Sequence, residues 1–246
     1  SDGFVFNGVN ADDYAGRVVS AAGDINGDGI DDILVSGDRT DPNGVQQSGA
    51  TYVIYGSNAG FSASLSAGDI DGTNGSLIAG EEAASQTGRM VKAAGDVNGD
   101  GFDDLVIGAY KATADGDAQA GKTYVVFGGS GGLGAQLDLS TLDGTNGFSV
   151  DGIAAGDQSG RGVSSAGDIN GDGFDDILIG APESGSGGAS SGGAYVVFGS
   201  GAGFAANIDL ASLDGTNGFA ITGEGPSKRT GFDVSELGDI NGDGID

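Results

Sequence analysis

The sequence contains no cysteine, no histidine and only 3 prolines among 246 residues. Without cysteine no disulfide can form, which excludes a small cystine-stapled scaffold but not an extracellular location. Without histidine or cysteine, a catalytic base would have to be Asp, Glu, Lys or Tyr. No apolar run approaches the length of a membrane span, and no signal-peptide pattern is present. The absences therefore weigh against an enzyme and against membrane insertion.

Basic residues are also scarce: 9 Lys and Arg stand against 36 Asp and Glu, for a formal net charge of −27. So negative a surface repels nucleic-acid phosphates and anionic lipid headgroups, so we expect neither as a partner. The acidic residues are mostly aspartates clustered in short loops. This clustering indicates that hard cations supply the missing positive charge.

Glycine is abundant, with 53 residues, and the sequence repeats itself. A motif of the form Gly-Asp-x-Asn-Gly-Asp-Gly begins at Gly23, Gly95, Gly167 and Gly238, at intervals of 72, 72 and 71 residues. Such a period indicates a repeat architecture. The units are 4–75, 76–147, 148–218 and the incomplete 219–246, so we predict a single repeat domain over 1–246. Because the chain starts at Ser1 and stops in mid-motif at Asp246, we expect both ends to be fragment boundaries.

Each unit contains four short segments rich in Val, Ile, Tyr and Phe, and no segment keeps a helical period. In the third unit these segments are 148–152, 162–167, 175–181 and 194–199. Four short strands in about 70 residues are typical of a propeller blade. The sequence therefore predicts an all-β fold made of β-propeller blades of four antiparallel strands.

The repeated loop has the spacing of a calcium site. In the first copy, Asp24, Asn26 and Asp28 offer side-chain oxygens, Ile30 offers its carbonyl, and Asp32 at position 9 closes the loop. An EF-hand is excluded, since position 12 is Val35 and a strand follows directly. Plain Asp/Asn-Gly turns are the alternative, but three aspartates so close would repel one another without a cation.

The same predicted calcium ligands recur in the other units. They are Asp96, Asn98, Asp100, Phe102 (carbonyl) and Asp104 in the second loop, Asp168, Asn170, Asp172, Phe174 (carbonyl) and Asp176 in the third, and Asp239, Asn241, Asp243 and Ile245 (carbonyl) in the fourth. We thus predict three complete Ca²⁺ sites and a fourth that is truncated before position 9.

At these residues the chain resembles the FG-GAP repeat family, the blades of the integrin α-subunit propeller. Gly180-Ala181-Pro182 matches the signature of the family, whereas the first unit has Ser36-Gly37-Asp38 and the second Gly108-Ala109-Tyr110. The resemblance implies a seven-bladed ring, of which this chain supplies about three and a half blades. The ring would then be completed by remaining blades of the same protein or by a second copy.

Two further features of the sequence, the repeated arginines and three variable stretches, are less specific signals. Arg17, Arg89 and Arg161 occupy one repeat position, where the fourth unit has Phe232. We expect each arginine to form an ion pair with a nearby loop carboxylate, for example the position-8 aspartate (Asp31, Asp103 or Asp175), and binding of a ligand is the less favoured alternative. The stretches 38–48, 112–121 and 183–193 differ between units and are predicted hairpin loops. They are the places where a binding face would diversify.

Three functions are compatible with these observations. The first is a secreted or cell-surface module that recognises a protein or glycan through blade loops and is stabilised by calcium. The second is a purely structural building block of a surface layer or filament. The third is an enzyme, since some polysaccharide lyases and phospholipases use propellers of this kind. We favour the first, because no catalytic constellation stands out beside the calcium ligands.

Overall fold

The computed structural model describes residues 3–185 and 187–246. The start of the chain at Ser1 and Asp2, and Ser186 in the third variable stretch, lie outside the described residues. The described residues form 16 strands and four short 3₁₀ segments. None of them forms a helix with the length and apolar composition needed to cross a lipid bilayer.

The strands are β1 (Val5–Asn7), β2 (Val19–Gly23), β3 (Asp32–Gly37), β4 (Ala50–Ile54), β5 (Ser64–Ser66), β6 (Gly75–Ala79), β7 (Met90–Gly95), β8 (Asp104–Ala109), β9 (Lys122–Val126), β10 (Gln136–Asp138), β11 (Gly147–Asp151), β12 (Gly162–Gly167), β13 (Asp176–Ala181), β14 (Gly193–Val197), β15 (Asn207–Asp209) and β16 (Gly218–Thr222). The 3₁₀ segments are Pro42–Gly44, Ala67–Asp69, Leu139–Thr141 and Leu210–Ser212. The prediction of an all-β chain is confirmed.

Three sheets each contain a meander of four antiparallel strands, as expected for propeller blades. The first blade is β2-β3-β4-β6, the second is β7-β8-β9-β11 and the third is β12-β13-β14-β16. The blades are offset by one strand from the units counted along the sequence. Residues 147–151, for example, pair with β9 of the second blade rather than with β12 of the third.

A parallel strand, which the sequence analysis did not predict, links consecutive units at the outer edge. β10 pairs with β6 of the first blade, and β15 pairs with β11 of the second. The isolated pair of β1 with β5 repeats this arrangement at the start of the chain. The outer strands β6 and β11 are thus each covered by a short parallel strand, whereas β16 of the third blade has no such partner among the described residues.

The cores lie between the blades. Leu34, Val53 and Ile78 of the first blade pack in one cluster with Leu105 and Ile107 of the second blade. Val106, between those last two residues on β8, points the other way and packs in a second cluster with Val163, Ile177 and Ile179 of the third blade. The middle blade is therefore buried on both faces, in agreement with the burial of all six residues of its strand β8.

Candidate metal loops

Each of the three complete acidic loops begins at a β-bulge. The pairing of β2 with β3 shifts register between Ala21 and Gly23, and Gly23 has a φ of 72°. The same shift occurs before Gly95 and before Gly167. A bulge bends the strand and redirects the chain that follows. The bulge glycine thereby turns the chain out of the blade and into the loop.

In the first acidic loop, Asp24–Asp32, three predicted ligands gather inside the turn. The Asp24 carboxylate accepts hydrogen bonds from the N–H groups of Asp28 (3.0 Å) and Gly29 (2.8 Å). The Asn26 side-chain oxygen accepts from the same Asp28 N–H at 2.9 Å. Asp28 in turn accepts from the N–H of Ile30 at 2.9 Å. Side-chain to backbone bonds of this kind hold a tight loop locally.

The other three acidic loops, Asp96–Asp104, Asp168–Asp176 and Asp239–Asp246, repeat this pattern. In each, the first aspartate accepts from the N–H groups of positions 5 and 6. The position-3 asparagine oxygen accepts from the N–H of position 5 at 2.9, 2.8 and 2.9 Å, respectively. The fourth loop keeps this geometry without a position-9 residue, so the geometry of positions 1 to 6 does not depend on position 9.

The position-9 aspartates, Asp32, Asp104 and Asp176, are fully buried and bond the backbone on both sides of the loop. Asp104 accepts from the N–H of Val97 at 2.9 Å and from the N–H of Gly128, just after β9, at 2.9 Å. Asp32 and Asp176 make the equivalent bonds to Ile25 and Gly56 and to Ile169 and Gly199. These carboxylates therefore tie each loop to the end of its own hairpin, a role that the sequence analysis did not assign.

Burial is also the main influence on the acidity of these groups. It raises the pKa of Asp104 to about 8, although the N–H donors of Gly128 and Val97 act in the opposite direction. Burial likewise raises the pKa of Asp32 and of Asp176 to about 6. In every case the carboxylates at positions 5 and 1 of the same loop raise the pKa further by repulsion. Without a cation, each position-9 carboxyl group is therefore harder to ionise than an ordinary aspartate.

The ligand set fits a hard divalent cation by its chemistry, since every ligand atom is an oxygen. None of the ion pairs among the described residues involves a residue of the acidic loops. Among the described residues, however, no three acidic side chains converge as a set of metal ligands. The carboxylates face backbone N–H groups instead. Binding of an ion would therefore require the position-9 carboxylate to share an oxygen with it.

The position-8 aspartates connect one loop to the loop before it. Asp103 accepts a hydrogen bond from the N–H of Asp24 at 2.7 Å, and Asp175 accepts from the N–H of Asp96 at 2.8 Å. Asp246 makes the same contact with the N–H of Asp168 at 3.3 Å. The sequence indicated a role for these aspartates by repeating them in register. The sequence analysis paired them with the repeated arginines, whereas their partners are backbone N–H groups of the preceding loop. Position 8 is a bridge between neighbouring blades.

Loop-to-loop packing accompanies this bridge. The Phe102 ring lies against Gly27 of the preceding loop, where a Cβ would collide with it. Phe174 occupies the same place against Gly99. The N–H groups of Gly129 and Gly131 also donate to the carbonyls of Ile25 and Asn26, at 2.9 and 3.0 Å. Consecutive acidic loops therefore form a contiguous row along one end of the blades.

The repeated arginines do not pair with position 8, although two of them form the expected ion pair with a loop carboxylate. Arg17 Nε and Arg89 Nη1 both contact the same Asp38 oxygen, at 3.3 and 3.5 Å. Arg161 stacks over the rings of Tyr110 and Phe232, with its Cζ atom 4.6 and 5.0 Å from their centroids. Each repeated arginine precedes the first strand of its blade (β2, β7 or β12), whereas the acidic loop follows that strand. The arginines and the acidic loops therefore lie at opposite ends of the blades.

The chain matches the FG-GAP repeat family over residues 15–54, 93–126 and 159–197. These segments cover the first three strands of each of the three blades, apart from the first half of β7, and the acidic loops between them. The fit of family repeat to blade agrees with the resemblance found from the acidic loop and from Gly180-Ala181-Pro182.

Among curated proteins, the chain is similar to Integrin alpha pat-2 of Caenorhabditis elegans, with 30% identity over 234 residues, covering 92% of this chain and 17% of the relative. It is 28% identical to Phosphatidylinositol-glycan-specific phospholipase D of Dictyostelium discoideum over 202 residues, covering 78% of the chain and 20% of the relative. Integrin alpha-PS3 of Drosophila melanogaster is 30% identical over 182 residues, covering 72% of the chain and 14% of the relative. The chain thus spans a fifth or less of the length of these relatives, and it belongs to the FG-GAP repeat family, in the form found in integrin α-subunits.

Proposed function

We propose that the chain is a calcium-stabilised extracellular recognition module, in which Ca²⁺ holds the acidic loops and the opposite loop face meets a protein or glycan. The observation that carries the calcium part is the buried position-9 carboxylate of each complete loop, which the carboxylates at positions 1 and 5 repel and which has no basic partner among the described residues. The ligands would be positions 1, 3, 5 and 9 and the carbonyl of position 7. The fourth loop, which lacks position 9, would bind weakly.

The bound ion would supply positive charge and cross-link loop residues that otherwise repel one another. Because Asp103 and Asp175 bridge consecutive loops, ordering of one loop would also order its neighbour. The recognition part is supported by similarity to proteins named as integrin α-chains. It is also supported by the position of the variable stretches, which connect β3 to β4, β8 to β9 and β13 to β14 and lie together at the end away from the acidic loops.

Native mass spectrometry in trace calcium tests the metal part. We expect three ions per chain, one for each complete loop, and a fourth only at higher calcium concentration. Asp100→Ala, which removes a predicted ligand at the exposed side of the second loop, should lower the count by one. A chain that retains no metal would refute the proposal.

The recognition part is tested by capture of extracellular matrix proteins and glycans on the immobilised chain, in calcium and in chelator. We expect calcium-dependent capture of at least one defined component. Hydrolysis of a phosphatidylinositol-glycan substrate by the purified chain would instead favour the activity for which the phospholipase D relatives are named. Absence of any ligand together with end-to-end assembly would favour the building-block alternative.

A further inference from the structure

The first and third units carry equivalent pockets at the acidic end of the blades. The pocket of the first unit has a volume of about 370 Å³ and that of the third about 310 Å³. Each lies between position 5 of the acidic loop, the chain that follows the third strand of the blade, and the Asp-Gly-Thr-Asn turn before the outer strand. The first pocket is lined by Asp28, Ser57, Phe61, Leu65, Thr73 and Asn74, and residues at the same repeat positions line the second.

One wall of each pocket carries a hydroxyl group with a free donor. Ser57 Oγ accepts a hydrogen bond from the N–H of Ala59 at 3.2 Å, and Ser200 Oγ accepts from the N–H of Ala202 at 3.1 Å. Neither hydroxyl donates to an acceptor among the described residues. Each serine is therefore available to donate a hydrogen bond to a ligand oxygen.

The turn on the other side of the pocket presents fixed acceptors. Thr73 donates its O–H to Asp71 at 2.6 Å, and Thr216 donates to Asp214 at 2.6 Å, so both threonine oxygens keep their lone pairs. Asn74 Oδ1 accepts from the N–H of Asp71 at 3.2 Å and holds the turn closed. Because these groups are already fixed, a ligand that binds them loses little entropy in ordering the site.

The remaining wall is apolar. Phe61 stacks on Phe4 with ring centroids 4.6 Å apart, and Phe204 stacks on Phe148 at 4.4 Å. Each ring is thus held in place by packing on one side and lines its pocket with the surface that remains. Leu65 extends the apolar wall of the first pocket. A concave site with apolar walls and a few fixed polar groups is typical of small-ligand binding.

The second unit differs from the other two at two of these positions. It has Gly129 at the serine position and Leu133 at the phenylalanine position, although it keeps Asp100 and Thr145. It therefore lacks both the hydroxyl donor and the aromatic wall. The features that make the pocket are thus shared by the first and third units and are separable from the acidic loop, which all three units have.

The chemistry of the walls selects the class of ligand. No Lys or Arg is among the described residues that line either pocket, and each pocket contains the position-5 aspartate, so an anion would be repelled. A bare cation would leave the serine donor and the apolar wall unused. A neutral pyranose ring uses every wall, because its C–H faces are apolar and its hydroxyl groups both donate and accept.

We propose that the first and third units each bind one neutral pyranose residue of a glycan in this pocket. The sugar ring lies against Phe61 or Phe204, and its hydroxyl groups bond the serine, the threonine and the position-5 aspartate. This site goes beyond the proposed function, whose recognition face lies at the opposite end of the blades. Two such sites on one chain favour a glycan in which the sugar recurs.

The experiment is a titration of the full chain with methyl glycosides, followed by backbone amide signals in nuclear magnetic resonance spectra. Calcium is present throughout, since Asp28 and Asp172 are also predicted calcium ligands. The probes are methyl α-glucoside, methyl α-mannoside and methyl N-acetyl-β-glucosaminide, with the methyl glycoside of glucuronic acid as the charged control. We expect at least one neutral probe to shift the signals of Ser57 and Ser200 but not that of Gly129, with a dissociation constant of about 1 mM. The charged control should bind at least about tenfold more weakly.

Variants of the first unit use the third unit as an internal reference. Ser57→Ala removes the free donor and should weaken the first site about fivefold. The double change Ser57→Gly and Phe61→Leu gives the first pocket the residues of the second unit and should weaken it at least about tenfold, while the Ser200 signal titrates as before. Asn58→Ala, on the same segment but outside the pocket, should bind like the unaltered chain.

Three results would overturn the inference: no shift with any neutral probe up to its solubility limit, equal binding of the glucuronide, or unchanged affinity of both Ser57 variants. Saturation of Gly129 together with Ser57 and Ser200 would also contradict it, because the second unit lacks the two defining residues. If calcium raises the unfolding midpoint and no glycoside binds, only this site is wrong and the proposed function stands.

Discussion

The side-chain contacts of the sequence repeat differ between the two ends of the blades. At the acidic end, positions 1, 3 and 5 make the same hydrogen bonds in all four loops, within a few tenths of an ångström. At the opposite end, the repeated arginines have different surroundings: Arg17 and Arg89 share Asp38, whereas Arg161 lies between two aromatic rings. The backbone hydrogen bonds of the repeat recur at both ends, but the side-chain contacts of the repeat recur only at the acidic end.

The reason for the difference is the range of the interactions. Loop side chains bond backbone N–H groups that are two to five residues away, and those groups are present whatever the neighbours are. A long arginine side chain instead reaches across blades to whichever acidic or aromatic group lies there. The position after the central strand is Asp38 in the first blade but Tyr110 in the second and Pro182 in the third. The arginine end can therefore diversify while the acidic end stays uniform.

Removal of calcium should have the largest effect on stability, because calcium is proposed to bind only at the acidic end. For each site, a free calcium concentration 100 times Kd stabilises the folded chain by about 2.7 kcal/mol, so three sites contribute about 8 kcal/mol. We expect the unfolding midpoint measured by calorimetry to fall steeply when calcium is replaced by chelator. Magnesium at equal ionic strength is the control and should restore little. Equal midpoints in calcium and chelator would contradict the expectation.

Substitution of Gly27 tests the packing between consecutive loops. Gly27→Ala places a methyl group against the Phe102 ring, and Gly27 also has a φ of 72°. We expect a loss of about 3 kcal/mol in denaturant-induced unfolding, from backbone strain and overpacking together. Gly29→Ala is the matched control, since Gly29 has a φ of 85° and open space around it. It should lose only about 1 kcal/mol, and equal losses would mean that the blades adjust freely.

Substitution of Asp104 separates the structural carboxylate from the predicted metal ligands. Asp104→Ala leaves the buried N–H groups of Val97 and Gly128 without an acceptor. We expect it to cost about 2 kcal/mol even in chelator. Asp100→Ala, in the same loop but exposed, should cost less than about 0.5 kcal/mol in chelator and lose stability only in calcium. Chemical denaturation of both variants under both conditions provides the measurement, and a similar loss for both in chelator would contradict the distinction.

The smallest expected effect is at the arginine end. Arg89→Gln leaves buried Asp38 with Arg17 as its remaining ion-pair partner at this site and should cost about 1 kcal/mol. Arg229→Gln removes an exposed ion pair with Glu183 and should change stability by less than about 0.5 kcal/mol. Unfolding at low and high salt distinguishes the two, since only the exposed pair is strongly screened. A greater loss for Arg229→Gln would reverse this order.

Much of the fold was predictable from local pattern. The short apolar segments and their spacing predicted the strands and the propeller-blade type, and the aspartate spacing located the loops. The assignment of strands to sheets was not predictable in the same way. Most of the segment 147–151 belongs to the third unit as counted along the sequence, but it completes the second blade, because its pairing partner β9 lies there. The parallel strands β10 and β15 are only three residues long and have no pattern of their own.

The candidate metal loops were likewise predictable only in part. The spacing of Asp24, Asn26 and Asp28 sufficed to predict that their side chains gather, and the calcium ion itself stays a prediction. Spacing did not reveal that Asp32 is buried and bonded to Gly56, 24 residues away. It also misassigned Asp103, whose partner is the backbone of Asp24 at a separation of 79 residues rather than a nearby arginine.

By itself, the sequence determined the repeat, the strand type and the conformation of each loop, because all three follow from contacts between residues close together in the chain. Only the tertiary structure decided which blade each strand completes, which carboxylates become bridges, and where the arginines find their partners. Those outcomes depend on which groups two neighbouring blades bring within hydrogen-bond distance. For Arg17 and Arg89 the deciding group is Asp38, an aspartate with no counterpart at the same position in the other units.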